Sequence, residues 1–563
     1  MVGHIKEKMK YFYYVFLALV FWGCANQLPP GGGEIDLVPP QIVKIYPENG
    51  TINFNSDYIE IDFSKYVEHR TFKDALFISP AVDGELEFEW TGKSVRVYFP
   101  QKLKQNITYV VSVGTDLQDY NNHNRMAESY SFAFSTGNKI DRGSINGKIF
   151  ADKPSGIMLF AYLKSDSVIN PMTNKPDYIS QAGKDGSYRL LGLKSGGYRV
   201  FAVKDEYRDL IYQPEQDEIG IPYKDIKLTD QDTLFAGLNF FISKFDTVKP
   251  RMINAVMTDE YHILLNFSKD IDTSMIKSSN FLITDSTSGK SFVPNYAFKG
   301  NTKPTEMVLV TDKKFPVKDE VFVLAKNITD KYGNIFHADD LSLTLSDKPD
   351  TTKPSIAIAN PPAGTSDADF VGQTYSFSFN DAFDSLSAKQ GITFSDTSGK
   401  FIPYNIRFLD DASFIIIPGE KLEPNTNYLI KLDLTKFSDL AGNKYDSLYQ
   451  YKFKTINGLD FTGVSGNIGN LEPGKNIYLL LQSFDKNKSV YSEKLKKNLT
   501  FNFNRVLPGK YKLWCFDNVA GSDTYDYGKA YPYKPSERFW VYPDTLNLKA
   551  RWIQTNINFD LKK

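Results

Sequence analysis

Three stretches of this chain open alike, and that repetition constrains the fold more than any other feature. DLVPPQIVKIYPENG begins at Asp36, DTVKPRMINAVMTDE at Asp246 and DTTKPSIAIANPPAG at Asp350. Each starts with Asp, reaches a proline and then alternates apolar with polar residues. Each continues into a second strand, IEIDFSKYVE, ILLNFSKDID or YSFSFNDAFD, which places Phe63, Phe267 and Phe379 in register. Later in each comes an apolar strand that ends in an Asp/Gly/Asn turn, aligning Asp119, Asp330 and Asp439, and a final alternating strand follows, such as YSFAFST or YQYKFKT. Short strands punctuated by turn residues over about a hundred positions predict a β-sandwich. Self-similarity at a long period predicts several of them in tandem.

A different unit lies between the first and second of these, and it returns at the C-terminus. GSINGKIF near Gly143 matches FTGVSGNI near Phe461. DGSYRLLGLKSGGYRVFAVKDEY from Asp185 matches LTFNFNRVLPGKYKLWCFDN from Leu499, and Tyr198 corresponds to Tyr511. The glycines of these stretches predict a φ > 0 turn at which two antiparallel strands meet. At 563 residues the chain is too long for one core. The order is A-B-A-A-B: a signal segment over 1–23, a tether over 24–35, and modules over 36–138, 139–245, 246–349, 350–456 and 457–563. Helical periodicity is nearly absent, and the aromatic content of 14% favours strands, so the fold class is all-β.

The A units resemble the bacterial Ig-like module of S-layer proteins. The B units resemble the transthyretin-like module, also called carboxypeptidase-regulatory-like, through the pattern G-x-I/V … F-x-F-x-x-L-x-P-G-x-Y-x-L-x-x-x-D. The second unit departs from that pattern at Lys194-Ser195-Gly196-Gly197, where Pro-Gly stands in the last. The resemblance implies a tandem array of Ig-like and transthyretin-like sandwiches. Such modules serve as spacers, stalks and binding surfaces, and the resemblance brings no catalytic activity with it.

The N-terminus reads as a leader. Lys6, Lys8 and Lys10 precede an uncharged run from Tyr11 to Gly23, shorter than the roughly 20 apolar residues that span a bilayer. Gly23 followed by Cys24 resembles the lipobox of bacterial lipoproteins, in which the cysteine is acylated and becomes the new N-terminus. That resemblance implies a lipid-anchored envelope protein, with Cys24 as the attachment site. One acyl chain anchors only marginally and stable attachment takes two or more, which a triacylated cysteine would provide. Pro29, Pro30 and Gly31 to Gly33 then form a tether. Ala25 following Cys24, rather than the Asp of inner-membrane retention, points to the outer membrane.

Chemistry-bearing motifs are sparse. Lys+Arg (66) and Asp+Glu (67) nearly cancel, which argues against a nucleic-acid partner. HExxH, GxxxxGK[ST], GxSxG and CxxC are missing from the sequence. Ser274-Met275-Ile276-Lys277 spells SxxK without the other motifs of that chemistry. His69, His123, His262 and His337 are scattered and read as surface residues, so no metal and no cofactor is expected. Cys515 sits in a strand-like run and reads as a small buried hydrophobe. Asp119, Asp330 and Asp439, with Asn121, Asn334 and Asn443 close behind, have calcium-type oxygens but no D-x-[DN]-x-[DN]-G loop. Asp and Asn also close turns on their own backbone, and that reading prevails. Five Asp-Ser/Thr-aliphatic triplets, such as those at Asp384 and Asp446, resemble an O-glycosylation acceptor of some Gram-negative envelope proteins.

The sharpest patch is YDYGKAYPYKPSERFWVYP in the last module. There Tyr525, Tyr527, Tyr531, Tyr533 and Trp540 are candidates for stacking on sugar rings or anchoring a protein partner, the other reading being that half of them face the core and the rest shield a sheet edge. The leading expectation is a non-enzymatic, lipid-tethered rod of five modules with a structural, adhesive or scaffolding role. The alternative is a carbohydrate-binding component of a glycan-uptake or degradation system that uses this patch.

Overall fold

Alternation along the strands builds every sheet. In Tyr58–Phe63, Ile59, Ile61 and Phe63 are buried while the residues between them are half-exposed. His262–Phe267 and Tyr375–Phe379 repeat the pattern, as expected for strands with one face on a core. The computed structural model describes residues 36–561 except 83, 166–167, 247, 301 and 486–488. The protein is almost entirely β, in many small sheets. Among the described residues no helix is long and apolar enough to cross a membrane. These residues fall into two compact units.

The first unit comprises the chain up to Leu163, Pro176–Tyr198 and Lys227–Leu238. Its first sandwich has one sheet ordered Ile42–Tyr46, Tyr58–Phe63, Ser94–Tyr98, Glu87–Thr91 and another ordered Leu76–Ser79, Thr108–Val113, Tyr130–Ser135. Ile61, Phe63, Phe72, Val97, Val111 and Phe132 fill the space between. Beyond it, Gly143–Phe150 pairs antiparallel with Ser187–Leu193 and parallel with Leu234–Phe235. Gly147 is required there, because a Cβ at that position would stand 2.0 Å from the Leu238 carbonyl oxygen. The buried Gln181 side chain joins these parts. It accepts the Thr115 N–H at 2.8 Å and donates to Asp116 Oδ2 at 2.9 Å and to the Gly156 carbonyl at 3.0 Å.

The second unit comprises Lys164–Lys175, Arg199–Ile226 and Asn239–Lys563. It holds two sandwiches of the first type. One has sheets ordered Met252–Met257, His262–Phe267, Glu306–Val310, Tyr296–Phe298 and Lys290–Phe292, Phe281–Asp285, Val321–Thr329, Ile335–Ser342. The other has Ile356–Asn360, Tyr375–Phe379, Ser413–Pro418, Tyr404–Asp410 and Ile392–Asp396, Asn427–Asp433, Leu448–Lys454. The predicted register is met residue by residue. Ile42 pairs with Phe63, Met252 with Phe267 and Ile356 with Phe379, and each first strand carries an irregularity one residue further on. An identical bulge in three copies marks a designed feature of the module.

The last sandwich packs Thr500–Val506, Thr462–Gly469, Ile553–Asp560 against a sheet ordered Val490–Lys494, Ile477–Ser483, Gly509–Asp517, Phe539–Val541. Gly466 matches Gly147, since its Cβ would meet the Ile557 carbonyl oxygen at 2.0 Å. Tyr198 and Tyr511 are both buried, and each donates its hydroxyl to the carbonyl four residues earlier, Lys194 and Leu507, at 2.8 Å. One expectation needs correcting. Leu507-Pro508 does not close a hairpin, because Thr500–Val506 and Gly509–Asp517 belong to different sheets. The turn carries the chain across the core, and Tyr511 pins it there.

Candidate functional site

The proposed attachment residue, Cys24, lies outside the described residues. The aromatic patch is described, and most of it faces protein. Phe241 stacks on Phe539 at 3.8 Å and meets Trp514 and Tyr525 edge-on at 5.1 and 5.6 Å. The Arg199 guanidinium lies 3.4 Å from the Tyr533 ring centre, and Asp225 holds that guanidinium with two hydrogen bonds of 2.8 Å. The Tyr533 hydroxyl donates to the Pro222 carbonyl, and Ser536 Oγ to that of Ile221 at 2.9 Å. Trp540 is 7% exposed beneath Arg538. Only Tyr527 and Tyr531 keep exposed rings.

A sugar needs a free ring face to stack on, and Tyr525, Tyr533 and Trp540 do not offer one. Within its unit the last module packs on residues 199–226 and 239–241. The physical reason is plain. An aromatic sheet face left in water forfeits its burial free energy, and residues 199–226 and 239–241 cover it.

A second constellation lies where the second and third sandwiches meet. Phe298, Val308 and Val310 of one pack with Ala382 and Ala412 of the other. The Ala297 and Lys299 backbone N–H groups donate to Asp411 Oδ2 and Asp410 Oδ2 at 2.8 and 3.1 Å. Beside this contact stand the opening Asp, the second strand and the acidic turn of the third module.

The same three elements occur in all three modules, and comparing them is instructive. In each, the turn Asp donates its N–H to an Asn carbonyl, and that Asn reaches back to the opening Asp's carbonyl. The pairs are Asp119 with Asn124, Asp330 with Asn334 and Asp439 with Asn443. Asn124 thus takes the place expected of Asn121, which is exposed. In the second module a lysine completes the clip, whereas in the first Lys65 reaches only the opening Asp36 and the buried Asp119 Oδ2 has no hydrogen-bond partner. Lys65 Nζ lies 2.5 Å from Asp36, and Lys269 Nζ lies 2.5 Å from Asp246 and 3.0 Å from Asp330. Burial pushes the Asp330 carboxyl up, but hydrogen bonds from Asn334 and Lys269 outweigh it and hold it below its usual range.

In the third module the lysine's position is Asp381. Carboxylate oxygens of Asp350, Asp381 and Asp439 therefore converge within 4.8 Å of one another. Burial raises the Asp439 carboxyl, the Asn443 bonds oppose it, and neighbouring Asp381 and Asp350 add to the rise, to about 6. Burial likewise raises Asp350. Asp439 Oδ1 accepts the Asn443 N–H at 2.7 Å, but its buried Oδ2 has no hydrogen-bond partner.

His262 of the second module reaches this group, so it is not the surface histidine its sequence context suggested. Its side chain is 12% exposed, with Nδ1 2.9 Å from Asp259 Oδ1 and Nε2 2.8 Å from Asp381 Oδ1. Burial disfavours the imidazolium, yet bonds to Asp259 and Asp381 hold its pKa up at about 10. The arrangement concentrates hard oxygen donors and contains no nucleophile. The SxxK serine is engaged locally, donating to Asp272 at 2.7 Å. Sequence reasoning aligned the acidic turns but passed over the residue two after the register phenylalanine. FSK, FSK and FND was the available signal.

Fold and junctions together define a chain of tandem Ig-type β-sandwiches. Residues 36–136 and 350–455 match the bacterial Ig-like domain family. Residues 246–349 lie outside the matched ranges yet repeat the same leading-sheet order and bulge. No curated protein sequence matches the chain. Solved structures with remote likeness include the N-terminal part of the bacterial S-layer protein SbsC, at 11% identity and TM-score 0.16. That match covers 37% of this chain and 44% of that one. BcpA, the major pilin subunit of Bacillus cereus, gives 9% identity and TM-score 0.14, covering 74% and 99%. L,D-transpeptidase 3 from Mycobacterium tuberculosis gives 9% and 0.15, covering 25% and 75%. Likenesses at these scores carry no functional inference.

Proposed function

We propose that this protein is a non-catalytic cell-envelope lipoprotein. Its acylated Cys24 would anchor it in the outer membrane, and its sandwiches would provide structural, adhesive or scaffolding contacts. The observation that carries this reading is how its modules are joined. Built interfaces join modules within each unit: Gln181 in the first, the Phe298–Ala412 contact and the Phe241–Phe539 seam in the second. A fourth joint is the Arg505 guanidinium, held between the Phe370 and Phe461 rings at 4.1 and 4.3 Å and paired with Asp369. Joints of this kind suit a protein that holds things in place. The glycan-binding alternative is left with Tyr527 and Tyr531, because Trp540 and Tyr533 are engaged within the protein.

Mass spectrometry of the N-terminal peptide from the membrane fraction tests the anchor. A diacylglyceryl-modified, N-acylated Cys24 is expected. An unmodified Cys24 in a membrane-associated chain would refute it.

A further inference from the structure

The third module replaces a cation with an anion at one buried place, and the consequence can be worked out from charge. In the second module, two carboxylates and the Lys269 ammonium leave one negative charge at the head of the sandwich. In the third, Asp259, Asp350, Asp381 and Asp439 share the one positive charge of His262, which bonds Asp259 and Asp381, and the group is left with three negative charges. Buried carboxylates of like sign are costly unless a counter-charge joins them. A divalent cation supplies the missing charge and restores the balance of the second module.

Geometry supports the same conclusion independently. Asp439 is 9% exposed and its Oδ2, like that of Asp119, is buried without a partner; unlike Asp119, it stands in a cluster of carboxylates whose donor atoms lie within 4.8 Å of one another. The Lys269 ammonium, which sits between the equivalent aspartates one module earlier, shows that this pocket is shaped to hold a cation. One oxygen of Asp381 is taken by His262 and the Ala382 N–H, and one of Asp439 by Asn443. That leaves the second oxygen of each for a ligand.

We infer that Asp350, Asp381 and Asp439 form a calcium site at the junction of the second and third modules. The donors are carboxylates, and calcium takes oxygen ligands at roughly 2.3–2.6 Å with loose geometry, so donors up to about 5 Å apart can share one ion. Magnesium needs a tighter, near-octahedral shell. Asp350 belongs to the linker between modules and Asp381 is bonded to His262 of the preceding module. Bound calcium would therefore tie linker, strand and turn together where the two sandwiches meet.

The test is calorimetric titration of CaCl2 into the full-length, chelator-stripped chain in detergent. About one equivalent should bind, with Kd on the order of 10⁻⁴ M, typical of extracellular modules. Asp381→Lys, which copies the first two modules, should abolish this binding, as should the near-isosteric Asp439→Asn, which keeps the Asn443 bond. Asp119→Asn in the first module should leave it unchanged. Hydrogen exchange should slow in Tyr375–Phe379 when calcium is added to the wild type and not to Asp381→Lys. Circular dichroism checks that both variants fold. Absence of wild-type binding up to ~10 mM CaCl2, or an unchanged isotherm in a folded Asp381→Lys or Asp439→Asn, overturns the assignment. So does uptake of Zn²⁺ that excludes calcium and requires His262.

Discussion

Replacing Lys269 by Met tests the lysine clip of the second module. The side chain keeps its apolar length but loses the ammonium, so Asp330 is left as a buried carboxylate with no counter-charge. The Asp330 side chain is fully buried and that of Lys269 is 16% exposed, so solvent cannot screen the loss. Removing one partner of a buried pair costs about 3–5 kcal/mol. The lower end applies, because Asn334 still donates to both Asp330 oxygens at 2.9 Å. We expect about 3 kcal/mol, confined to this module. A tandem array does not unfold in two states, so the assay is hydrogen exchange resolved by peptide, read at Val321–Thr329 and Ile335–Ser342. The pH dependence is fixed in sign. The folded-state pKa of Asp330 lies below its ordinary value, so its contribution is present at neutral pH and is lost as pH falls through that depressed value. Without Lys269 that pKa rises, so the gap between wild type and variant should be widest near pH 7 and narrow towards about pH 4. Adding Asp330→Asn should recover most of the loss. Equal gaps at both pH values, or a double variant as unstable as the single one, would refute the reasoning.

Three further outcomes follow from the packing. Phe241→Ala should cost about 2–4 kcal/mol by removing three aromatic contacts at once, seen as faster exchange in Phe539–Val541 and a red shift of Trp514 emission. Gly466→Ala should force Ile553–Asp560 away from Thr462–Gly469, because the new methyl would clash with the Ile557 carbonyl oxygen. A loss of about 1–3 kcal/mol in the last module, with the other sandwiches unaffected, is expected in denaturant. Cys515 is fully buried and burial pushes its thiol far above its ordinary value. It should resist maleimide in the native chain and label on unfolding, and rapid native labelling would mean that Gly509–Asp517 opens readily.

Much of the fold was legible because period-two alternation and turn residues are local signals. The phenylalanines at 63, 267 and 379, and the tyrosines at 198 and 511, mark positions where burial and backbone geometry demand one residue type. The structure places them in equivalent contacts. The crossing turn at Leu507-Pro508 was misread, because a short Gly-containing link looks the same in sequence whether it joins neighbours in one sheet or arches between two. The aromatic patch was legible only in part for a related reason. Alternating Tyr and Trp reveal that a sheet face needs cover, but whether a ligand, a partner or the chain's own residues 199–226 and 239–241 supply it depends on contacts some 300 residues apart in sequence, such as Tyr533 with Pro222.

The acidic junction shows where reading each turn by itself falls short. Asp119, Asp330 and Asp439 look equivalent, and each does close a turn on its own backbone as expected. What distinguishes the third is a residue some sixty positions upstream, Asp381, standing where Lys65 and Lys269 stand. Turn formation and cation binding are therefore not rival explanations for these aspartates. The turn fixes the carboxylate in a buried position, and the residue on the second strand decides whether its counter-charge is covalently built in. The second module carries that charge on Lys269, which bonds both aspartates, and the first carries Lys65 on its opening Asp36. The third carries an aspartate, with His262 of its neighbour already committed to Asp259 and Asp381. Its order is thereby coupled to a charge that must come from outside the chain, at the one junction where two modules of the same type follow each other directly.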